Sequence, residues 1–205
     1  MKVREMVGHP ISGFDSQTRA FVQVQQGCNH RCTFCIIPFS RGNSRSVGMG
    51  FLIDQVRELT KNGYKECVLT GVDISSYGGD LPGKPSLGKL VDCLLDQVPG
   101  LERLRLSTLD PAVIDDTLIS LLAEEPRLMP HLHFSVQAGN NVILKRMKRR
   151  HNRWDVIDLC EQLRLARPDI VFGADFIVGF PTETDKMFHD TLKLVDEAGL
   201  TYLHV

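Results

Sequence analysis

Short apolar runs alternate with longer stretches of helical periodicity along most of the chain. Six runs are rich in β-branched and aromatic residues or alternate in polarity, which is typical of strands. They cover residues 20–26, 66–71, 103–108, 131–137, 170–178 and 201–205. Because each run but the last is followed by a helical pattern, the sequence predicts an α/β fold with parallel strands and helices outside them.

The segments between the strands place apolar residues three and four positions apart, which is the spacing of one helix face. Helices are predicted around residues 51–59, 87–95, 113–122, 153–165 and 184–198. In the last helix, Phe188, Leu192 and Val195 form the predicted apolar face, and Thr182 with Asp185 forms the predicted N-terminal cap. Such strand–helix repeats form either an open doubly wound sheet or a barrel, and periodicity does not separate these two folds.

Polar and glycine-rich elements follow five of the predicted strands. They lie at residues 28–35, 71–73, 107–108, 137 and 179–181. Because the carboxyl ends of parallel strands meet at one edge of a sheet or barrel, we expect these elements to share one rim.

The two ends of the chain differ from the middle. Residues 1–19 mix glycine, proline, serine and charged residues without a period, which predicts an irregular lead-in or the stub of a linker. We expect one core domain over residues 20–205. Since the last apolar run has no helix after it to cover the strand, we also expect this domain to be truncated at its C-terminus, as a piece of a longer protein.

Composition and charge are those of an ordinary soluble globular protein. The 205 residues are 42% hydrophobic and 24% charged, and 24 basic against 25 acidic residues leave a formal net charge of −1. Contact with nucleic acid would therefore need a local basic patch rather than a global field. Because no apolar run approaches the roughly 20 residues that cross a bilayer and no signal peptide begins the chain, we expect a cytoplasmic protein without a membrane segment.

Three of the six cysteines, Cys28, Cys32 and Cys35, stand in the run GCNHRCTFCIIP with C-x3-C-x2-C spacing. Six cysteines are too few for a disulfide scaffold, and loops this short favour metal binding. A cubane iron–sulfur cluster has four irons and thiolate ligands, so three cysteines leave one iron without a protein ligand. That open iron is the predicted site of chemistry.

Two other interpretations of these cysteines remain. Together with His30 they could ligate zinc, although zinc sites usually pair their ligands on two separate knuckles. They could also be buried structural cysteines with chance spacing. The other thiols, Cys67, Cys93 and Cys160, stand singly on apolar faces and are predicted to fill the core.

The pattern C-x3-C-x-(aromatic)-C, with Phe34 as the aromatic residue, resembles the signature of radical S-adenosylmethionine (radical SAM) enzymes. Within that superfamily the chain resembles the methylthiotransferases over about residues 20–205. The resemblance is carried by QQGCNHRCTFCIIPFSRGNSRS, VLTGVDISSYG, HLHFSVQAGNNVILKRMKRRH and DFIVGFPTET. The second and third segments are most similar to the subgroup that modifies N6-threonylcarbamoyladenosine beside the tRNA anticodon.

This resemblance implies a partial (β/α)6 barrel and two cofactors, a [4Fe-4S] cluster held by Cys28, Cys32 and Cys35 and S-adenosylmethionine on the free iron. One electron would break the sulfur–C5′ bond, and the 5′-deoxyadenosyl radical would abstract hydrogen from C2 of the modified adenine. A tRNA substrate, an electron donor protein and a monomeric state are expected with it. The alternatives are the isopentenyladenosine or ribosomal-protein branches, and a non-catalytic zinc-stabilised interaction domain.

The resemblance also implies which residues contact the cofactors. Phe34 would cover the cluster, and the backbone at Ile37 would hydrogen-bond adenine. Arg149 is the candidate partner of the methionyl carboxylate, because a guanidinium offers that group a bidentate partner. The other implied contacts are Gly71, Asp73, Ser107, Gln137, Asp175 and Gly179.

Basic residues near these positions are candidates for RNA contact. Arg41 and Arg45 resemble a basic element near the substrate. A local cluster of cations could meet RNA phosphates or could simply be a solvated surface. It comprises Lys145, Arg146, Lys148, Arg149, Arg150 and Arg153.

The chain departs from the methylthiotransferase pattern at several positions. Ala138 stands where serine is frequent, Thr182 where glycine is frequent, and Asp73 where an amide is common. Family members also carry an upstream domain with three more cysteines for a second [4Fe-4S] cluster, and a downstream RNA-binding module. Since neither is in this sequence, we expect this chain alone to be incomplete for sulfur insertion.

Overall fold

The computed structural model describes residues 18–205, and the predicted lead-in at residues 1–19 lies almost wholly outside this range. Its strands are β1 (Ala20–Gln26), β2 (Arg45–Ser46), β3 (Glu66–Gly71), β4 (Arg103–Leu106), β5 (His131–Gln137), β6 (Val171–Phe176) and β7 (Leu200–His204). Its α-helices are α1 (Ile37–Ser40), α2 (Met49–Lys61), α3 (Leu87–Gln97), α4 (Asp116–Glu124), α5 (Asn141–Arg146), α6 (Arg153–Ala166) and α7 (Asp185–Glu197). Short 3₁₀ turns cover Ile74–Ser76 and Pro111–Val113.

Six of the strands run parallel and form the wall of an open barrel. One sheet has the order β2-β1-β3-β4, with β2 antiparallel to β1, and the other has the order β5-β6-β7. The sheets meet after β4, where the Leu109 N–H donates to the His133 carbonyl at 2.8 Å and the Ser135 N–H to the Leu109 carbonyl at 2.9 Å. Within residues 18–205, β1 and β7 are not paired, so the barrel is partial, as predicted.

All six predicted strands are confirmed, but three short elements were missed. β2 has two residues, α1 has four and α5 has six, and such lengths leave little periodic signal. The predicted helix over residues 113–122 begins later than expected. Val113 ends a 3₁₀ turn, and α4 starts only after Asp115, whose carboxylate accepts the Leu118 N–H at 3.1 Å.

Helix α7 lies where it was predicted, but its cap and its face differ. Thr184, not Thr182, is the N-cap and accepts the Met187 N–H, whereas Thr182 has a left-handed φ of +72°. Leu192 is 47% exposed, while Leu194 and Thr191 are buried. The buried stripe is therefore rotated from the predicted one, because Thr191 packs inward to accept the Gly139 N–H.

The strands separate a hydrophobic layer from a polar interior. On β5, Leu132, Phe134 and Val136 are buried in the main core, which also includes residues of the surrounding helices. The alternate residues of β5, His133 and Ser135 among them, are only partly buried. Since successive side chains of a strand point to opposite faces, these polar residues line the barrel interior.

Two glycines in the loop before α3 provide a matched stability test. Gly78 has φ +79°, and a Cβ there would overlap the carbonyl oxygen of Pro85, whereas Gly83 has φ +74° with open space around it. We expect Gly83→Ala to lower the free energy of unfolding by about 1 kcal/mol, the cost of a left-handed backbone. Gly78→Ala adds a clash and should lower it by about 2–3 kcal/mol. Urea denaturation measures both values, and equal losses would contradict the packing argument.

Glu66 carries a pH-dependent part of the stability. It accepts from Arg103 Nε at 2.9 Å and Arg105 Nε at 2.8 Å, which both lie on the neighbouring strand. Burial alone would raise the pKa of Glu66, but Arg105 and Arg103 outweigh it and hold that pKa below its usual value. A carboxyl group whose folded pKa is lowered stabilises the fold above its unfolded pKa of ~4.3, and this stability is lost as the pH falls through the folded pKa.

We therefore expect Glu66→Gln to lower the free energy of unfolding by about 1–2 kcal/mol at pH 7. The difference from the parent protein should shrink as the pH is lowered to about 4, because the Glu66 carboxyl of the unfolded parent chain then takes up a proton while the folded chain does not. Denaturation curves at both pH values measure this. Glu58→Gln, at an exposed position on α2, is the control and should change little. A difference that grows on acidification would contradict this assignment.

Candidate metal-cluster site

A cavity of about 160 Å³ lies at the carboxyl ends of β1, β3, β4 and β5. Each of these strands, or the segment after it, contributes to the wall, so four of the five predicted elements share one rim, while residues 179–181 after β6 are not among the lining residues. The lining residues are Cys28, His30, Cys32, Phe34, Cys35, Ile37, Val72, Asp73, Thr108, Asp110, Ser135, Gln137 and Arg149. The three clustered cysteines therefore share one cavity with two carboxylates and one guanidinium.

The cysteine loop is held from two sides. On one side, the Cys28 N–H donates to the Gly42 carbonyl at 3.0 Å. On the other, Thr33 donates through its N–H to the Met147 carbonyl at 3.2 Å and through its hydroxyl to the Arg146 carbonyl at 3.0 Å. The loop is therefore tied both to the chain before β2 and to the segment after α5, which limits movement of the three sulfurs.

The thiols of Cys28, Cys32 and Cys35 are free and half-buried. Burial raises the pKa of Cys28 to about 11, with the charge of Asp73 adding to the effect and the His30 N–H at 3.3 Å opposing it. A thiol in this setting is protonated at neutral pH. It loses its proton when a metal binds, since coordination deprotonates a thiol outright.

The spacing of the sulfurs suits a cluster better than a single zinc ion. Zinc–sulfur bonds of ~2.3 Å put two tetrahedral thiolates roughly 3.8 Å apart. Among the described residues the three sulfurs do not all lie within 4.8 Å of one another, whereas Cys28, His30 and Asp73 do place one ligand atom each within that distance. In a cubane, each cysteine binds a different iron and the sulfurs stand further apart. The donor set therefore fits a cluster.

Asp73 is held as a carboxylate beside Cys28. Its N–H donates to the Gln25 side-chain oxygen at 2.8 Å, its Oδ2 accepts the Ser76 hydroxyl at 2.7 Å, and the same oxygen lies 3.1 Å from His30 Nε2. Although burial would raise the pKa of Asp73, His30 and Ser76 hold it below its usual value. An acceptor is thus fixed in the cavity wall.

Arg149 forms the opposite wall and is almost wholly buried, with 7% of its side chain exposed. Its Nη2 donates to the Ser135 carbonyl at 2.6 Å and lies 3.4 Å from Asp110 Oδ2, while Nη1 lies 3.8 Å from Cys32 Sγ. Its Nε is buried without a hydrogen-bond partner among the described residues. A fixed positive charge with unused donor capacity therefore stands beside the cysteines.

The aromatic and backbone candidates also reach the cavity. Phe34 is 38% exposed and lines it together with Ile37, the first residue of α1. Gln137 ends β5 with a φ of +73°, and its carbonyl accepts the Ile177 N–H at 2.9 Å. The Ile37 carbonyl accepts the N–H of Arg41, the C-cap of α1, and the Ile36 carbonyl accepts the Phe39 and Ser40 N–H groups, so both carbonyls are already engaged.

The lining within residues 18–205 does not include four of the predicted contacts. Gly71 packs behind the wall, where a Cβ would lie 2.8 Å from the Gln25 carbonyl oxygen, and Gly179 is exposed with its N–H on Glu183 at 2.7 Å. The neighbouring Thr108 lines the cavity in place of Ser107, whose hydroxyl is buried without a hydrogen-bond partner among the described residues. Asp175, on β6, pairs with His133 and His204 on the two neighbouring strands. The cofactor contacts of Gly71, Ser107, Asp175 and Gly179 stay predictions.

The basic residues separate into two kinds. Arg149 and Arg153 are held by the fold, and Arg153 donates to the Gly139 and Asp190 carbonyls at 2.8 and 2.9 Å. The exposed members of the predicted cation cluster are Lys145, Arg146, Lys148 and Arg150. On the other side of the loop, Arg45 Nη2 donates to the Arg41 carbonyl at 3.0 Å, which links the two predicted basic residues there.

Sequence reasoning missed Asp110 and Ser135. Asp110 follows β4 by four residues, and its Oδ2 accepts Arg150 Nη2 at 3.0 Å in addition to facing Arg149. Burial would raise the pKa of Asp110, but His151 and Arg149 hold it well below its usual value. Ser135 could have been found, because it lies two residues before Gln137 and therefore on the same face of β5.

A larger surface groove of about 590 Å³ runs beside the site. The loop after β3 and the segment before α4 form it, with Ser76, Tyr77 and Asp115 among its walls. Among the described residues that line this groove, none is a cysteine or an arginine. Chemistry that needs a metal cluster therefore belongs to the smaller cavity.

The remaining cysteines behave as predicted. Cys67 and Cys160 are fully buried, and burial raises the pKa of each to about 12, while Cys93 packs partly buried against the core. The core cysteines and the cavity cysteines therefore differ clearly in their burial.

Helices of the described residues are all too short or too polar to cross a bilayer.

An open parallel barrel with three cysteines in one cavity, just past its first strand, defines a class of metal-cluster proteins. Residues 22–195 match the family model described as "Radical SAM superfamily", and the chain belongs to this superfamily. It is 55% identical over 205 residues to "Threonylcarbamoyladenosine tRNA methylthiotransferase MtaB" of Rickettsia prowazekii (strain Madrid E), covering 100% of this chain and 49% of that protein. It is 46% identical over 188 residues to "tRNA-2-methylthio-N(6)-dimethylallyladenosine synthase" of Rickettsia rickettsii (strain Sheila Smith), covering 91% and 42%.

The chain therefore spans about half the length of the curated relatives it matches. Among solved structures, it is similar to the radical S-adenosylmethionine methyltransferase TsrM of Kitasatospora setae, with a TM-score of 0.72, 16% identity and coverage of 90% of this chain and 35% of that one. Likeness at this identity supports the barrel fold. The predicted fold and superfamily are confirmed.

Proposed function

We propose that this chain is the radical SAM domain of a tRNA methylthiotransferase that adds a methylthio group to C2 of N6-threonylcarbamoyladenosine. The observation that carries the proposal is the anchored loop of Cys28, Cys32 and Cys35 in a cavity at the strand ends. Identity of 55% to a threonylcarbamoyladenosine enzyme supports the choice of substrate.

In this proposal the three cysteines hold a [4Fe-4S] cluster, which leaves one iron for S-adenosylmethionine. When bound, these two cofactors supply one-electron reductive cleavage of the sulfonium. The protein's part is to bind, to orient and to exclude water. Phe34 covers the cluster side of the cavity, and the backbone of Ile37 is proposed to contact the adenine ring.

Two charged groups would orient the methionyl moiety. Asp73 presents a carboxylate that can accept from the amine, and Arg149 presents Nη1 and Nε donors that can bind the carboxylate. Because Ser135 and Asp110 already fix the guanidinium, little side-chain entropy would be lost on binding. Further cofactor contacts are proposed for Gly71, Ser107, Gln137, Asp175 and Gly179.

The proposed partner is a tRNA anticodon loop. The exposed Lys145, Arg146, Lys148 and Arg150 stand beside the cavity and could neutralise phosphates. We also propose a monomeric, cytoplasmic enzyme that takes electrons from a donor protein. A second [4Fe-4S] cluster would belong to the part of the relatives that this chain does not span.

A second candidate is a dimethylallyladenosine substrate, because a synthase of that nucleoside is 46% identical. Mass spectrometry of tRNA nucleosides separates the two candidates. In cells that lack the gene, loss of the methylthio group from threonylcarbamoyladenosine would support the first, and loss from dimethylallyladenosine would support the second. Unchanged tRNA with an altered ribosomal peptide would overturn both.

The domain itself can be tested after anaerobic reconstitution with iron and sulfide. With a chemical reductant and S-adenosylmethionine, we expect 5′-deoxyadenosine to form, whereas methylthiolated RNA should not. Arg149→Met should raise the KM for S-adenosylmethionine at least about 10-fold, since a charge-assisted pair is lost. Arg57→Met, a half-exposed α2 residue paired with Asp54, is the control. Failure to form 5′-deoxyadenosine would overturn the radical assignment, and methylthiolated product would overturn the need for further domains.

A further inference from the structure

Three side chains from adjacent strands meet inside the barrel, apart from the cysteine cavity. His133 Nε2 on β5 lies 3.0 Å from Asp175 Oδ1 on β6, and His204 Nδ1 on β7 lies 3.2 Å from the same oxygen. One ligand atom from each of the three residues lies within 4.8 Å of the other two. Two imidazoles thus converge on one carboxylate.

The strand register builds this arrangement. Asp175 is paired with His204 across β6 and β7, and His133 is paired with Gly173 across β5 and β6. At Gly173 a Cβ would overlap the His133 ring, so this position leaves room for the imidazole only as glycine. The two imidazole rings lie with centroids 4.8 Å apart. Backbone ladders, rather than a loop, therefore set the separation of the three groups.

The donor atoms have the chemistry and spacing of a metal site. Bonds of ~2.0–2.1 Å from a tetrahedral zinc ion to nitrogen and oxygen place neighbouring ligand atoms roughly 3.3 Å apart. The observed separations of 3.0 and 3.2 Å are close to that edge. Two histidines and one carboxylate are the ligand set of zinc and iron sites that keep an open position.

The local charge also favours a cation. Two arginines of the neighbouring strands and loops are already paired with other carboxylates. Arg105, which acts electrostatically on the adjacent His131, is bound by Glu66, and Arg149 is bound by Asp110. Within residues 18–205, the partners of Asp175 are the two imidazoles, and it makes no ion pair with lysine or arginine.

We propose that His133, Asp175 and His204 bind one divalent transition-metal ion of borderline softness, such as Zn²⁺, with an open position toward the barrel interior. Ser135 lines the cysteine cavity, whereas His133, Asp175 and His204 are not among its lining residues. It is a second metal site, distinct from the cysteine site, and it is an alternative to the cofactor contact proposed for Asp175.

Co²⁺ is a suitable probe, because thiolate ligands add an intense charge-transfer band that nitrogen and oxygen ligands lack. The titration uses the chain with Cys28, Cys32 and Cys35 replaced by alanine, and is repeated on the cluster-loaded chain. We expect one Co²⁺ per chain with d–d bands but no thiolate band, displaced by one equivalent of Zn²⁺. If neither protein binds Co²⁺ stoichiometrically, the proposal is overturned, and His133, Asp175 and His204 form only a hydrogen-bonded group.

Variants assign the ligands. His204→Ala removes an exposed side chain and should fold, and it should weaken Co²⁺ binding at least about 10-fold, as should Asp175→Asn. His131→Ala is the matched control, because His131 is on the same face of β5 but contacts Tyr202 instead. Equal weakening by His131→Ala, or none by His204→Ala, would overturn the ligand assignment. Formation of 5′-deoxyadenosine by the parent chain is read separately and reports only on the cysteine site.

Discussion

Cys32→Ser should reduce the iron and labile sulfide bound after anaerobic reconstitution at least about 10-fold, and the visible absorbance should fall with them. The physical reason is that a serine oxygen is a poor ligand for a site that selects soft thiolates, and two cysteines do not hold a cubane. Cys32 also lies 3.8 Å from Arg149 Nη1, so its loss removes the sulfur nearest to that charge among the described contacts.

Cys93→Ser is the matched control for this experiment. Cys93 is also half-buried and free, but it lies on α3 and packs against the core outside the cavity. Its replacement should leave iron and sulfide content unchanged. Full cluster content in Cys32→Ser, or stoichiometric zinc without sulfide in the parent chain, would contradict the cluster assignment.

Asp110→Asn should lower the free energy of unfolding by about 3–5 kcal/mol, because removal of one partner leaves a buried charge without compensation. The side chains of Asp110 and Arg149 are 5% and 7% exposed, so solvent screens this pair weakly. Arg150 would lose its partner too, but it is exposed and can be solvated. Chemical denaturation of the apo chain measures the loss without any contribution from a cofactor.

Asp96→Asn, at an exposed position near the end of α3, is the control and should change the stability by less than about 0.5 kcal/mol. The double variant Asp110→Asn with Arg149→Met separates the cost of leaving Arg149 unpaired from the other contributions of Asp110 to stability. Because it removes both buried charges, it should recover part of the stability lost in Asp110→Asn. An additive loss in the double variant would mean that the carboxylate stabilises the fold through other contacts.

Most of the fold followed from the sequence because its elements carry local signals. The six parallel strands are short runs that are rich in β-branched and aromatic residues or alternate in polarity, and α2, α3 and α6 have regular apolar spacing over at least 11 residues. The elements that were missed, β2, α1 and α5, are short and depend on neighbours for their stability. The shifted face of α7 also depends on a contact, the Gly139 N–H on Thr191, that has no local signature.

The candidate site divides in the same way. Cys28, Cys32 and Cys35 were identifiable because they are adjacent in sequence, and the rim was identifiable because strand ends of parallel sheets coincide. Asp110 was not, since it acquires its role by facing Arg149 across the cavity from a different segment of the chain. Ser135 was missed although its spacing from Gln137 placed it on the cavity face of β5.

By itself, the sequence determined the strand–helix order, the three-cysteine loop and the superfamily, because each of these is written in consecutive residues. The strand–helix pattern left an open sheet and a barrel both possible, and the partial barrel implied by the resemblance was confirmed by the strand pairing. Only the tertiary structure decided that Thr108 and not Ser107 lines the cavity, and that His133, Asp175 and His204 meet. The reason is register: which side chains of neighbouring strands stand opposite one another depends on backbone pairing between segments up to tens of residues apart. A one-residue shift in that pairing would turn each of these side chains to the other face.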